Sequence, residues 1–322
     1  MKTVITGGAG FIGGFLTKHC IEADSRVLGI DVVASPQGAA VDEFEVCDVR
    51  NSQRLSELLS KFRPQRIFHL AAQSHPVVSL AQPRETLDVN VNGTVSLFES
   101  VRATGIETVV VVACSSAEYG LVDERDLPVR EDHPLNPLHP YGVSKVAQDL
   151  LAAQYFANYA IPAIRVRIFK TTGPGKLDEV CSDLTRRAVE IEMGIRPASM
   201  PVGNLTSRRS IVDVRDLVHA LWSSPARCEF GEVYNLGGDD VYSVQEIIDL
   251  IRAQMTASFK IEPRSELMRA CDEPVTTGDN SKFRSRCEWM PRIRLAETLR
   301  DMLDWWRIEL RASQQTASAQ RA

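Results

Sequence analysis

Two side chains four residues apart, Tyr141 and Lys145, could together move a proton. On a helix that spacing stacks them on one face. A phenol beside a Lys⁺ ionises more easily than its free pKa of about 10 allows. It can then take a proton from a hydroxyl group, and Ser115 could hold the oxygen left behind. Taken alone, the pair reads as a solvated helix pair. Its meaning depends on the elements around it.

Val109-Val110-Val111-Val112-Ala113 is a short, unbroken β-branched run, as expected of a buried parallel strand. It empties into Cys114-Ser115-Ser116-Ala117-Glu118-Tyr119-Gly120, and after a proline-rich loop Tyr141-Gly142-Val143-Ser144-Lys145 opens a helix to about residue 160. At the other end of the chain, Lys2–Thr6 reads as a strand. It runs into Gly7-Gly8-Ala9-Gly10-Phe11-Ile12-Gly13 and an amphipathic segment to about Ala23. This is GxxGxxG at a strand-to-helix turn. Its glycines let backbone approach a pyrophosphate, and the helix N-terminus faces that charge. A second strand, Arg26–Ile30, ends at Asp31, eighteen residues past Gly13. A carboxylate there can accept both ribose hydroxyls of NAD and would repel a 2′-phosphate; the plainer reading is a solvated loop acid. A nicotinamide cation near Tyr141 would favour the phenolate further.

Phe44–Cys47 reads as a third strand, and Asp48-Val49 could meet the adenine edge. A helix over 52–62 leads to a fourth strand, Gln65–Leu70. Ala71-Ala72-Gln73 follows, with small side chains where bulk would block a cofactor lying across the sheet. His75, before a proline, reads as a loop residue. A long helix is expected over 84–104. Strands and helices alternate throughout, which predicts an α/β fold with a parallel, doubly wound (Rossmann) sheet. Past Ile168 the texture changes: Phe169–Gly175 reads as loop, a helix follows over about 178–194, and Asp213–Asp216 starts another. Val233–Asn235 looks like a strand returning to the sheet, and Ser243 with Glu246 forms a capping box. The expected division is a dinucleotide domain over 1–170, rejoined by 213–236. A smaller, mixed C-terminal substrate lobe takes 171–212 and 237–310, and a frayed tail 311–322.

Composition narrows the class. The chain has 322 residues, 44% hydrophobic and 25% charged, with a net charge of −5 and no long basic run, so nucleic-acid binding has no electrostatic support. No apolar run approaches the roughly 18 residues of a membrane span. The N-terminus does not fit a signal peptide, and the seven cysteines show no CxxC spacing and no neighbouring histidine cluster. They read as reduced thiols in a cytoplasmic protein without a metal site.

GGAGFIG, the acid after the second strand, HLAAQ, SSAEYG and YGVSK occur in one order. Together they resemble the extended short-chain dehydrogenase/reductase superfamily of nucleotide-sugar epimerases and dehydratases, over roughly residues 2–306. Ala71-Ala72-Gln73-Ser74-His75 resembles GDP-mannose 4,6-dehydratases. Gly173-Pro174-Gly175, Gly203-Asn204-Leu205, Arg209 and Asp213-Val214-Arg215-Asp216 are similar to those enzymes and to GDP-4-keto-6-deoxymannose reductases. The resemblance implies Ser115, Tyr141 and Lys145 as the catalytic set. It implies an NAD site of Gly7, Gly10, Phe11, Ile12, Gly13, Asp31, Asp48, Val49, Leu70, Ala71, Ala72 and Gln73, with Tyr141 and Lys145. Candidate substrate contacts are Ser74, Ser116, Lys170, Arg209 and Arg269.

Three departures bear on the reaction. Dehydratases of this kind carry a Glu two residues before the Tyr of the xYG turn, where it takes the C5 proton; here that place is Ala117, after Ser116. A methyl group cannot act as a base. Glu118 lies one step along and could substitute only in a rotated turn. The family's Arg-x-Phe-Asn is Arg167-Ile168-Phe169-Lys170, so Lys170 either adds a charge at the diphosphate or sits in solvent. The usual Arg-Asp pair is Arg209-Ser210. The leading expectation is therefore an NAD-dependent homodimeric epimerase acting at C4 of a nucleotide-diphosphate hexose, with a GDP-sugar favoured. An NADH-dependent 4-keto-6-deoxyhexose reductase comes second and a 4,6-dehydratase third. A catalytically silent dinucleotide sensor is the alternative outside enzymes.

Overall fold

The computed structural model describes residues 1–34, 43–268 and 274–319. Along the chain it runs β1 (Lys2–Thr6), α1 (Phe11–Glu22), β2 (Arg26–Asp31), β3 (Glu43–Val46), α2 (Ser52–Phe62) and β4 (Arg66–His69). Next come α3 (Pro76–Ala81), α4 (Pro83–Leu87), α5 (Gly93–Thr104), β5 (Val109–Ser115), α6 (Pro140–Tyr159) and β6 (Ala163–Ile168). The remainder holds β7 (Lys170–Thr172), α7 (Val180–Glu192), β8 (Ser199–Val202), β9 (Arg208–Asp213), α8 (Val214–Arg227) and β10 (Val233–Leu236). It closes with β11 (Val241–Ser243), α9 (Val244–Arg252), β12 (Lys260–Pro263), β13 (Val275–Thr276), α10 (Ser281–Cys287) and α11 (Leu295–Ala319).

These elements form two compact units. The first comprises residues 1–169, 217–237 and 278–290, and the second comprises 170–216, 238–277 and 291–322. In the first unit seven strands lie in the order β10-β6-β5-β4-β1-β2-β3, every neighbouring pair parallel. The order reverses between β1 and β4, and in such sheets ligands bind at the carboxyl ends of the strands at that switch. Val110, Val111 and Val112 on β5 are wholly buried, which explains the unbroken β-branched run. Helix α2 starts where Asn51 Oδ1 accepts the Arg54 N–H, and it packs Leu55, Leu58, Leu59 and Phe62 into the core. Burying each of those side chains contributes about 1.5–3 kcal/mol as an upper figure.

The second unit carries a small sheet with β9 between β11 and β13, β7 also pairing β9, and a separate β8–β12 ladder. Leu184 on α7, Ile247 and Ile248 on α9, and Leu299, Met302 and Trp306 on α11 share one core. Ser243 and Glu246 make the expected capping box at α9.

The structure differs from the sequence reading in four places. Lys170–Thr172, expected as loop, is a strand because β9 offers it a parallel edge, with Lys170 opposite Ile211. The helix expected over 84–104 is α4 and α5 joined by a π-turn at Asp88–Asn92. The chain returns to the first unit twice, at residues 217–237 and again at 278–290. Finally, α11 runs on to Ala319 where a frayed tail from residue 311 was expected; Ala and Gln sustain a helix as readily as they form a coil.

Candidate active site

The glycine turn is shaped by what cannot fit in it. Gly7 has φ +76°, and a Cβ on it would lie 2.8 Å from the Ala71 nitrogen. A Cβ on Gly13 would lie 2.1 Å from the Gly7 carbonyl oxygen, so the N-terminus of α1 presses against the loop that precedes it. Gly10, the residue before Phe11 and Ile12, caps α1 in extended conformation without a side-chain bond. Asp31 ends β2, and its carboxylate accepts N–H bonds from Ala9 (3.1 Å) and Val32 (2.7 Å). The same carboxylate thus fixes the glycine loop and retains lone pairs for a ligand. This is a cradle that any added Cβ would fill, with an acid at its edge, and it fits a dinucleotide.

Leu70, Ala71, Ala72 and Gln73 follow β4 beside Gly7 and are half-buried, and Ser74 is exposed. Asn90, on the π-turn, holds this loop. It accepts the Gln73 N–H at 2.7 Å and donates to the Gln73 carbonyl at 3.1 Å and to Ser144 Oγ at 2.8 Å. Sequence reasoning passed over Asn90; its signal was a poor helix former in a segment expected to be helical. Below lies a buried chain in which Thr6 and Thr94 bond the two nitrogens of His69, and Gln148 donates to Thr94. Burial first, and Lys145 second, push the His69 pKa down to about 3, so the ring is neutral. At Asp48, Arg50 donates to both carboxylate oxygens and also reaches Glu85 and Asp88, and the side chain stays 36% exposed. Val49 is buried against Gly93.

The turn after β5 is organised by two residues that bond each other's ends. Ser115 Oγ accepts the Ala117 N–H at 3.2 Å, and Glu118 Oε1 accepts the Ser115 N–H at 2.7 Å. Helix α6 begins against this turn: His139 Nδ1 accepts the Gly142 N–H, and a Cβ on Gly142 would lie 2.6 Å from the Ala117 carbonyl oxygen. That close approach brings the Tyr141 hydroxyl into hydrogen bonding with Ser115. One turn on, the Lys145 ammonium donates to the Ala113 carbonyl at 2.7 Å and stands 5.8 Å from the Tyr141 ring centroid.

The electrostatics correct one expectation. Without cofactor the Tyr141 phenol is not eased towards ionisation but pushed up to about 12. Burial is the main cause and outweighs the Ser115 hydrogen bond, while the negative charge of Glu118 adds to the rise. Burial also lowers the Lys145 pKa.

Behind Ser115 lies a buried cluster that the sequence reading did not assemble. Arg167 on β6 donates to Asp149 (2.9 Å) and to the Tyr119 hydroxyl (2.9 Å), and its Nε lies 3.2 Å from Glu118 Oε2. Arg165 donates to the other Asp149 oxygen at 2.6 Å. Tyr119 in turn donates to Asn235 on β10 at 2.7 Å. Cys114, Glu118 and Asp149 form the single trio of metal-ligand type among the described residues. Two guanidiniums already fill the cationic role there. Glu118 is therefore turned inward, away from the place a rotated turn would have given it.

In the second unit, the β7–β9 register puts Lys170 and Arg209 on one face of the small sheet. Lys170 is exposed; Arg209 is half-buried and donates to the Arg208 carbonyl at 2.8 Å. Ser116 is half-buried in the first unit. Arg269 lies outside the described residues.

The family model described as GDP-mannose 4,6 dehydratase matches residues 4–302. The chain belongs to that family. A GDP-6-deoxy-D-mannose reductase of Pseudomonas aeruginosa is 27% identical over 96% of this chain and 98% of its own. A UDP-glucose 4-epimerase of Mycolicibacterium smegmatis is 29% identical over 95% and 99%. Among solved structures, RMD from Pseudomonas aeruginosa complexed with NADPH superposes with TM-score 0.86, 25% identity and coverage of 96% and 99%. The UDP-glucose 4-epimerase of Thermus thermophilus, complexed with NAD, gives TM-score 0.83 at 25% identity over 95% and 99%. The protein is thus an enzyme of the extended short-chain dehydrogenase/reductase, nucleotide-sugar epimerase, reductase and dehydratase group. Among the described residues no helix is long and apolar enough to cross a membrane.

Proposed function

We propose that this enzyme is an NAD-dependent epimerase acting at C4 of a nucleotide-diphosphate hexose, a GDP-sugar being favoured. One observation carries the reading. Ser115, Tyr141 and Lys145 converge, while the xYG turn offers a methyl group at Ala117 and an inward-facing carboxyl at Glu118. Proton transfer at O4 is supplied; a base at C5 is not.

Gly7, Gly10, Gly13, Asp31 and the 70–73 loop would hold NAD, which when bound supplies hydride acceptance and return. Ser115 Oγ holds O4 of the sugar, and Tyr141 takes the O4 proton. The Lys145 ammonium, together with the positive charge that NAD would supply, would oppose the burial that keeps the free phenol neutral. With the ketose presenting its other face, Tyr141 returns the proton to O4. Lys170 and Arg209 are proposed diphosphate contacts. Asp31 favours NAD, and calorimetry should give much weaker binding of NADP.

The test uses purified protein and a panel of nucleotide sugars in deuterium oxide, without added cofactor, with products read by NMR. A C4 epimer free of deuterium at C5 is expected. Stoichiometric C5 deuterium would turn the reading to a dehydratase. A second reading, NADH-dependent reduction of a 4-keto-6-deoxyhexose, is favoured by the neutral, proton-donating state of Tyr141. It predicts stoichiometric NADH consumption with a ketose and no epimerisation.

A homodimer is also proposed. On α5 and α6, Leu97, Phe98 and Tyr155 are spent in the unit's own core. Val143 and Leu150 on α6, with Val77 and Leu80 on α3, remain exposed. A monomer mass by light scattering at micromolar concentration would refute it.

A further inference from the structure

Glu118 presents an unusual arrangement of partners. The side chain is wholly buried, and Oε1 is satisfied by the Ser115 N–H. Oε2 has no hydrogen-bond partner of proper geometry in the cluster, although Arg167 Nε lies 3.2 Å away. An Asp149 oxygen lies within 4.8 Å of Glu118. Asp149 has a guanidinium on each oxygen, at 2.6 and 2.9 Å, so it is the better placed of the two to carry negative charge. An orphaned carboxylate oxygen in a buried site is costly, and a second carboxylate beside it makes it costlier. A proton on Oε2 removes both penalties, since the hydroxyl can then donate towards Asp149.

We propose that Glu118 is held as a neutral carboxylic acid against Asp149, and in that form positions Ser115 without placing negative charge behind the phenol of Tyr141. The inference rests on the reading of Tyr141 as the proton carrier. Glu118 itself touches no substrate atom; it is a positioning residue.

The surroundings support the assignment. The charged and titratable groups around Glu118 are Cys114 on β5, Tyr141, Lys145 and Asp149 on α6, and Arg167 on β6. Burial and then Asp149 raise the Glu118 pKa to about 8, with Arg167 and the Ser115 N–H pulling the other way. Once ionised, Glu118 opposes formation of the Tyr141 phenolate. The hydrogen bond to Ser115 survives in either state, because Oε1 accepts it in both. The neutral acid therefore separates the two effects of the residue, keeping the geometry and withholding the charge.

Glu118→Gln reproduces the neutral acid: its amide oxygen can accept from Ser115 and its NH₂ can donate to Asp149. The experiment has two readouts that need no turnover, made on the whole chain with NAD bound. In the infrared, the wild type at neutral pH should show a protonated-carboxyl band that is missing in Glu118→Gln. Above about pH 8, where the wild-type Glu118 gives up its proton, the near-ultraviolet titration of Tyr141, isolated by difference from Tyr141→Phe, should move to lower pH in Glu118→Gln. Turnover gives the third readout: the alkaline rise of kcat/KM should shift in the same direction, with KM unchanged. Glu118→Leu, which loses the acceptor for the Ser115 N–H, should instead lower kcat at every pH. Absence of the carboxyl band, or a Tyr141 titration that already shifts in a folded Glu118→Gln protein below about pH 7, where the wild-type acid should carry no charge, overturns the proposal. If no nucleotide sugar is turned over, the functional reading fails, while the band and the phenol titration still decide this inference.

Discussion

The turn after β1 and the turn after β5 stand at the same end of one parallel sheet, yet they are held by opposite means. The first is built from absence. Gly7 and Gly13 approach carbonyl and amide groups so closely that a methyl would collide, and the contacts are almost all main chain. The second is built from buried ionisable groups. Glu118, Asp149, Arg165 and Arg167 fill the space behind Ser115, and each has little or no exposed side-chain surface. A backbone cradle tolerates no added volume but is indifferent to pH. A buried ionic cluster is sensitive to any change in charge. The difference matches the chemistry at each turn. Under the proposed function, one would admit a pyrophosphate, and the other would fix the position and protonation of two hydroxyls.

The largest effect should come from the second turn. Tyr141→Phe removes the proton carrier and keeps the ring, so kcat should fall by roughly 10²–10⁴ with substrate affinity little changed. Steady-state kinetics with the substrate found from the panel would check it; a loss under tenfold would mean another group carries the proton. Arg167→Leu comes next. It leaves Glu118 and Asp149 short of a guanidinium and Tyr119 without its donor, and should cost about 3–5 kcal/mol of stability by denaturant unfolding. Arg167→Lys should recover only part of this, since one ammonium cannot serve Asp149 and Tyr119 as a planar fork does.

The same contrast decides what the sequence could reveal. The tight turn of GGAGFIG and the place of Asp31 at the end of β2 were legible because such a strand-to-helix turn needs particular residues at fixed spacing within one short stretch. The Tyr141–Lys145 pair and the seven-stranded parallel sheet were legible too, since both follow from helical spacing and from β-branched runs. Asp149, Arg165 and Arg167 carry no local signal. Each looks like an ordinary charged residue on a helix or strand, and only the β5–β6 pairing and the packing of α6 bring them behind Ser115. Asp48 stands after β3 as read, and what no spacing showed is that Arg50, two residues on, bonds both of its oxygens. Lys170–Thr172 looked like loop because a three-residue strand needs the edge of β9, forty residues away, to exist.

The first turn sets a smaller effect. Gly13→Ala must displace the Gly7 carbonyl, and overpacking of this kind costs about 1–3 kcal/mol. Spent at the cofactor site, that is a loss of about five- to two-hundred-fold in NAD affinity by calorimetry. The alkaline infrared and phenol behaviour of the second turn should not move. If Gly13→Ala left NAD binding intact, the glycine turn would not be the cradle.

The smallest effects should separate the two regions by pH. Glu118 binds its proton more tightly folded, at about 8, than at its ordinary value of 4.5. Through that window the folded state holds more protons than the unfolded, so the stability linked to this group is full below pH 4.5 and lost as pH rises towards 8. Asp48, near the first turn, has the opposite sign. The Arg50 hydrogen bonds hold its pKa below the ordinary 3.8, so its contribution is present above pH 3.8 and lost as pH falls through the lowered value. Its side chain is 36% exposed, so solvent and salt should weaken the effect. Thermal unfolding should therefore show Glu118→Gln flattening the decline in Tm between pH 5 and 8 (roughly the window between the two pKa values), whatever the salt. Asp48→Asn should lower Tm above its ordinary pKa of 3.8, with the difference closing as pH falls through the lowered value, and by less as salt is added. An alkaline decline that survives unchanged in Glu118→Gln would place the titrating group elsewhere, and the buried cluster would lose its part in the comparison.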